Sequence, residues 1–85
     1  MRRLLSPSKS QRIEQLEADR ELVIEAGTWA MQSSWRHAMQ RLGRQGTTYH
    51  LLKLKGVDEA AYNNAERVIW EIGQAIEAEL SELKS

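Results

Sequence analysis

The sequence has no cysteine, no long apolar run, no glycine-rich phosphate loop, and no acidic residue anywhere from 26 to 57. Each absence excludes something. Without cysteine there is no disulfide, one of the two usual staples of small domains, and such a composition fits a reducing compartment. No stretch approaches the roughly 18 consecutive apolar residues of a membrane span. The basic start Met1-Arg2-Arg3-Leu4-Leu5-Ser6-Pro7 turns polar after its two leucines, whereas a signal peptide needs an apolar stretch of roughly 7 to 15 residues. The expected location is the cytoplasm, with no membrane partner. Gly43, Gly46 and Gly56 are spaced wrongly for either nucleotide-binding fingerprint, and no Lys-Ser or Lys-Thr follows them. His37 and His50 are the only histidines, the residue type that serves as a base at neutral pH. Around His37 stand Ser33, Ser34, Gln40 and Arg41, which supply no metal ligand at helical spacing. Neither histidine belongs to a nucleophile or metal signature, so no catalytic residue, metal or cofactor is expected, and the chain reads as a protein that binds rather than one that catalyses.

What is present is a chain of 85 residues, enough for a single domain that buries only about 60 to 65 per cent of the surface its unfolded form exposes. Its core is thin, and self-association or docking on a partner is the remaining route to stability. Net charge is zero, but the charges are sorted along the chain. Residues 1–25 are balanced, residues 26–57 carry Arg36, Arg41, Arg44, Lys53 and Lys55 and no acid, and residues 58–85 carry seven acids against Arg67 and Lys84. The middle is +5 and the tail −5. Such asymmetry points to a polyanion-binding face or to two mutually complementary surfaces.

The hydrophobic period is helical throughout. Over about 7–42, Ile13, Leu16, Val23, Ala30 and Ile24, Met31, Ala38 make a wide apolar stripe, with Trp35 and Leu42 beside it. Ser6 and Pro7 suit a helix start, and Ser8 with Gln11 has capping-box spacing. Unbroken, this helix would extend about 54 Å, natural for an elongated hairpin, and at Gly27-Thr28 it reads either as one kinked helix or as two helices meeting. Gly43 is the expected stop. Residues 43–57 form the connection. Within it Thr47 to Lys55 reads either as a strand, from the alternation Leu52-Lys53-Leu54-Lys55, or as a short helix capped by Thr47 and ended by Gly56. The helix is preferred because a lone strand has no partner. Asp58 is the expected N-cap of a last helix over about 58–83, in which Tyr62, Ile69, Ile76 and Leu83 recur every seven residues as a coiled-coil-like seam. The fold class is therefore all-α, a single domain over residues 1–85 built as a long helical hairpin with a short third helix in the connection, assembled into an oligomeric bundle.

Two binding surfaces follow. Two helices cannot hide these stripes and three tryptophans from water in one hairpin, which makes Trp29, Trp35, Tyr62, Ile69, Trp70 and Ile76 the candidate protein interface. The partners expected there are a second copy or another protein, and the function is that of a small regulatory or adaptor protein of the inhibitor, antitoxin-like or assembly-factor kind. The alternative is a nucleic-acid- or nucleotide-binding protein using the acid-free segment 28–55. There Arg36, Arg41, Arg44, Lys53 and Lys55 would neutralise phosphates, and Tyr49, with Trp29 and Trp35, would stack on bases. A helix-turn-helix can also be drawn over Thr47 to Ile69. Lys55 then falls where an apolar residue belongs, and Asp58 and Glu59 would face phosphates, which weighs against it.

Overall fold

Ser8 starts the first helix through the capping box. Its Oγ accepts from the Gln11 backbone N–H at 3.1 Å, and the Gln11 side-chain carbonyl accepts from the Ser8 N–H at 3.0 Å. The pair satisfies two of the donors that a helix start leaves open. From there α1 runs over Lys9–Gln32. The computed structural model describes residues 8–46, 51 and 57–85. Ser6, Pro7 and most of the expected short helix over 47–55 lie outside the described residues; Leu51, the one described residue of that stretch, is helical and buried.

α1 passes through Gly27 unbroken, so two helices do not meet there. A glycine inside a helix costs only about 1 kcal/mol, and the buried neighbours Ala26 and Trp29 hold the helix against the rest of the core. The break falls instead at Ser33-Ser34. Ser33 leaves the helical region at φ −140°, ψ −84°. Ser34 is extended, and its Oγ accepts from the His37 N–H at 3.1 Å, capping α2, Trp35–Gln45. Serine offers the backbone a competing hydrogen bond, so it ends helices where glycine merely weakens them.

The expected stop at Gly43 is likewise displaced. Gly43 is buried inside α2, and the helix ends at Gly46, whose N–H donates to the Leu42 carbonyl at 2.8 Å. Gly46 does not adopt a left-handed conformation. What demands glycine there is space, because a Cβ at that position would overlap the side chain of Leu51.

Asp58 caps the next helix as expected, its Oδ1 accepting from the Ala61 N–H at 3.0 Å. That helix, α3, covers only Glu59–Asn63, and α4 follows over Ala65–Lys84. One turn-forming residue, Asn64, divides what the heptad pattern presents as a single helix. Its side-chain amide donates to the Ala60 carbonyl at 3.1 Å, a local bond that short polar side chains make in place of helix continuation.

The molecule is all-α, with no strand among the described residues. α1 and α4 lie antiparallel as a long pair, Leu16 meeting Ile76 and Leu80 at one end while Ala26 and Trp29 meet Ala65 and Ile69 at the other. α2 folds back against both at the second end, adding Ala38, Met39 and Leu42 to the core there. Among the described residues the first end is a two-helix hairpin held by the Leu16, Ile76, Leu80 cluster with Ile13 and Leu83 at its margin. The resulting shape is elongated, 48 × 24 × 17 Å, with a radius of gyration of 13.8 Å, against about 12 Å for a compact domain of this length.

Ion pairs reinforce the first end. Both Arg12 Nε and Arg12 Nη2 lie 2.9 Å from Glu79 Oε2, and Lys84 Nζ is 2.6 Å from Glu17 Oε2. Asp19 is the one charged side chain among the described residues that is fully enclosed, at 1 % exposure, and no buried side-chain nitrogen or oxygen among them lacks a partner.

Candidate functional site

The six residues expected at a protein interface separate into three sets. Trp29, Ile69 and Ile76 are buried in the chain's own core, at 6, 3 and 0 % exposure. The seam of the last helix therefore packs inward on α1 rather than outward, and these three positions are corrected from interface to core. The reason is that α1 supplies a matching stripe at the same level. Tyr62 and Trp35 are half-buried at the edge of that core. Trp70 alone of the six projects into solvent.

Trp70 is 64 % exposed, and on α1 Ile24 and Met31 are exposed by 63 and 88 %. A large apolar side chain in water forgoes about 1.5 to 3 kcal/mol of burial energy, so three such residues together form a feature and not a scatter. Ile24 and Trp70 line an open groove of about 570 Å³ between α1 and α4, and Met31 stands seven residues beyond Ile24 along α1. Its apolar lining comes from Val23, Ile24, Gly27, Ile69, Trp70 and Gly73, with Trp35 at one end. Two glycines, one on each helix, open the space. At Gly73 a Cβ would sit 3.3 Å from Val23 Cγ1, so this glycine lets the helices approach closely. At Gly27 a Cβ would meet nothing within 4 Å, which means that the absent side chain leaves a hollow in the exposed face.

Charges of both signs rim the groove. At one end Arg20 Nη1 lies 3.6 Å from Glu77 Oε1 across the two helices. At the other, Arg67 and Glu66 stand side by side on α4, with Arg67 Nε 3.6 Å from Glu71 Oε2. Neither end presents a concentrated field, so the rim is not built to collect a polyanion or a polycation.

The residues expected to bind polyanions are differently placed. Tyr49, Lys53 and Lys55, together with His50, lie outside the described residues. Arg36 is held within the molecule: its Nη2 donates to Glu59 Oε2 at 2.5 Å, its Nη1 reaches Asn63 Oδ1 at 3.5 Å, and its Cζ stands 5.1 Å from the centroid of the Tyr62 ring. Arg41 lies over Trp29, 4.2 Å from the ring centroid. These two guanidinium groups, expected to meet phosphate, are thus engaged by aromatic rings of the same chain, each such contact being worth about 0.5 to 2 kcal/mol. Arg44 is exposed in the last turn of α2, where a cation also complements the helix dipole. The recognition helix of the helix-turn-helix reading is the five-residue α3, with Asn63 engaged by Arg36.

His37 is exposed near the start of α2. Among the described residues no three or more histidine, aspartate or glutamate side chains converge as a metal site. No described helix is long and apolar enough to cross a membrane. Compared with family models, with curated proteins and with solved structures, the chain matches none.

Proposed function

We propose that this protein is a small non-enzymatic regulatory or adaptor protein whose working surface is the open α1/α4 face. The observation that supports it is that Ile24 and Trp70, each more than half exposed, line a groove opened by glycine, with Met31 exposed further along α1. Tryptophan in such a setting is the side chain that most often anchors an interface, because it buries a large area at small entropic cost. The rim of mixed charge suits a protein surface, which is itself mixed, better than a uniformly charged polymer.

The polyanion reading has less support, since Arg36 and Arg41 already hold internal partners. A fluorescence anisotropy titration of labelled single- and double-stranded DNA and RNA, at about 50 and about 200 mM salt, separates the two readings. The expected result is no salt-sensitive binding. Tight binding that collapses at the higher salt and weakens in Arg44→Ala would overturn the assignment to the apolar face and make nucleic acid the partner.

A further inference from the structure

The geometry points to a second copy of this chain as the occupant of the α1/α4 groove, joined about a two-fold axis so that Trp70 of each copy seats over Gly27 of the other. The inference rests on the reading of that face as a protein-binding surface and names its partner.

Three features of the face lead there. The first is that knob and hole lie on one surface. Val23 packs against Gly73 at the floor of the groove, fixing the register of the antiparallel pair. One turn further along α1 is Gly27, and one turn back along α4 is Trp70, so the hollow and the projecting indole stand at the same level on opposite sides of the groove. A two-fold axis lying in the plane of contact and running along the groove, parallel to the helices, places α4 of each copy over α1 of the other without changing level. It carries each tryptophan onto the other copy's hollow. An isologous contact of this kind needs one patch that contains both complementary shapes, which is what the face offers.

The second feature is charge. Because the operation exchanges α1 and α4 at constant level, Arg20 of each copy comes to face Glu77 of the other, opposite signs meeting twice at one end. At the other end Glu66 and Arg67, of opposite sign, come over the uncharged strip of α1 around Met31. Formal net charge is zero, so two whole molecules do not repel at long range. A partner of strongly acidic or basic character would find no such match.

The third feature is continuity. Ile24 and Met31 lie to either side of Gly27 on the exposed side of α1 and extend the apolar contact beyond the tryptophan, and Trp35 closes one end of the groove. The dimer would cover the apolar side chains that the monomer leaves most exposed.

Sedimentation velocity of the purified full chain, from below about 1 µM to about 200 µM, spans the range in which weak specific dimers form. The expected species at high concentration has twice the 9.8 kDa chain mass. Trp70→Ala removes the knob and Gly27→Leu fills the hole, and each should weaken the dimer by roughly 30-fold or more. Neither change touches the core, and circular dichroism checks that both variants keep their helices. Mixing the two variants is the sharper test. One contact of the mixed dimer pairs the intact Trp70 with the intact Gly27. The other sets the introduced leucine against the introduced alanine, so large still faces small and association should return. A chain that stays monomeric throughout, or a dimer indifferent to both substitutions, would overturn the inference. A monomeric chain that also ignores nucleic acid would refute the dimer alone and leave the face as a surface for a different protein.

Discussion

The two sides of the α1/α4 pair are made from the same kinds of residue and end in opposite situations. On the side covered by α2, Trp29 is buried at 6 % exposure with Arg41 stacked over it. On the open side, Trp70 is 64 % exposed beside a hollow. A tryptophan that finds a neighbouring helix becomes core, and one that faces a glycine across an open groove does not. Among the described residues α2 covers one side and not the other, and the contrast between them locates the core on the covered side.

The largest expected effect breaks the comparison within α4 itself. Ile76 is fully buried and Trp70 stands on the exposed side of the same helix. Ile76→Ala should lower unfolding free energy by about 2 to 5 kcal/mol in urea, whereas Trp70→Ala in the monomer should change it by less than about 0.5 kcal/mol. A small domain has only about 5 to 15 kcal/mol to lose, so the first variant should be close to unfolding.

Glycine sharpens the same contrast with opposite signs. Gly46→Ala forces a Cβ into Leu51 and should destabilise by about 1 to 3 kcal/mol. Gly27→Ala places its Cβ in open space inside a helix and should stabilise by up to about 1 kcal/mol, raising the thermal midpoint. A loss at Gly27 would mean that the hollow is filled in the monomer.

The arginines come next. Arg41→Ala removes the cation over Trp29 and should cost about 1 kcal/mol, while Arg44→Ala should stay within about 0.5 kcal/mol of wild type in the same denaturant series.

The smallest effect is on pH. Lys84, by its hydrogen bond and its charge, with Arg20 adding to it, holds the Glu17 carboxyl below its ordinary value of 4.5. A carboxyl whose value is lowered by folding contributes stability that is complete above the ordinary value and is lost as pH falls through the lowered one. Lys84→Gln removes that contribution, so the variant should be slightly less stable than wild type near neutrality. The two stability curves should converge as pH falls below about 4.5, giving the variant a flatter acid limb.

Much of this is legible in the residues. Ser8 with Gln11 and Asp58 mark their helix starts by side-chain chemistry alone, and both caps are made as the spacing predicts. The heptad series Tyr62, Ile69, Ile76, Leu83 identifies an apolar face correctly but not what covers it. Periodicity reports that a face must be buried, and whether the cover is another part of the chain or another molecule is a tertiary question. Ser34 ahead of Trp35 is a capping signal hidden inside a long apolar stripe, and Asn64 is hidden in the same way inside the seam. Asp19 lies three residues after Leu16 and seven before Ala26, on the inward strip of α1, so a lone acid there already signals an enclosed carboxylate. The engagement of Arg36 and Arg41 with aromatic rings depends on how α2 folds back, which no local pattern encodes. In the sequence Gly27 reads as a weak point of the helix, whereas in the fold its consequence is the space it leaves outside the helix.

The most direct test of the contrast between the open and covered sides is a photo-crosslinking amino acid placed at position 70 in one variant and at position 44 in another, with each variant illuminated in the cells that produce the protein. Covalent protein adducts from position 70 and none from position 44 are the predicted result. Adducts from position 44 with none from position 70 would contradict the assignment of the open apolar face as the working surface.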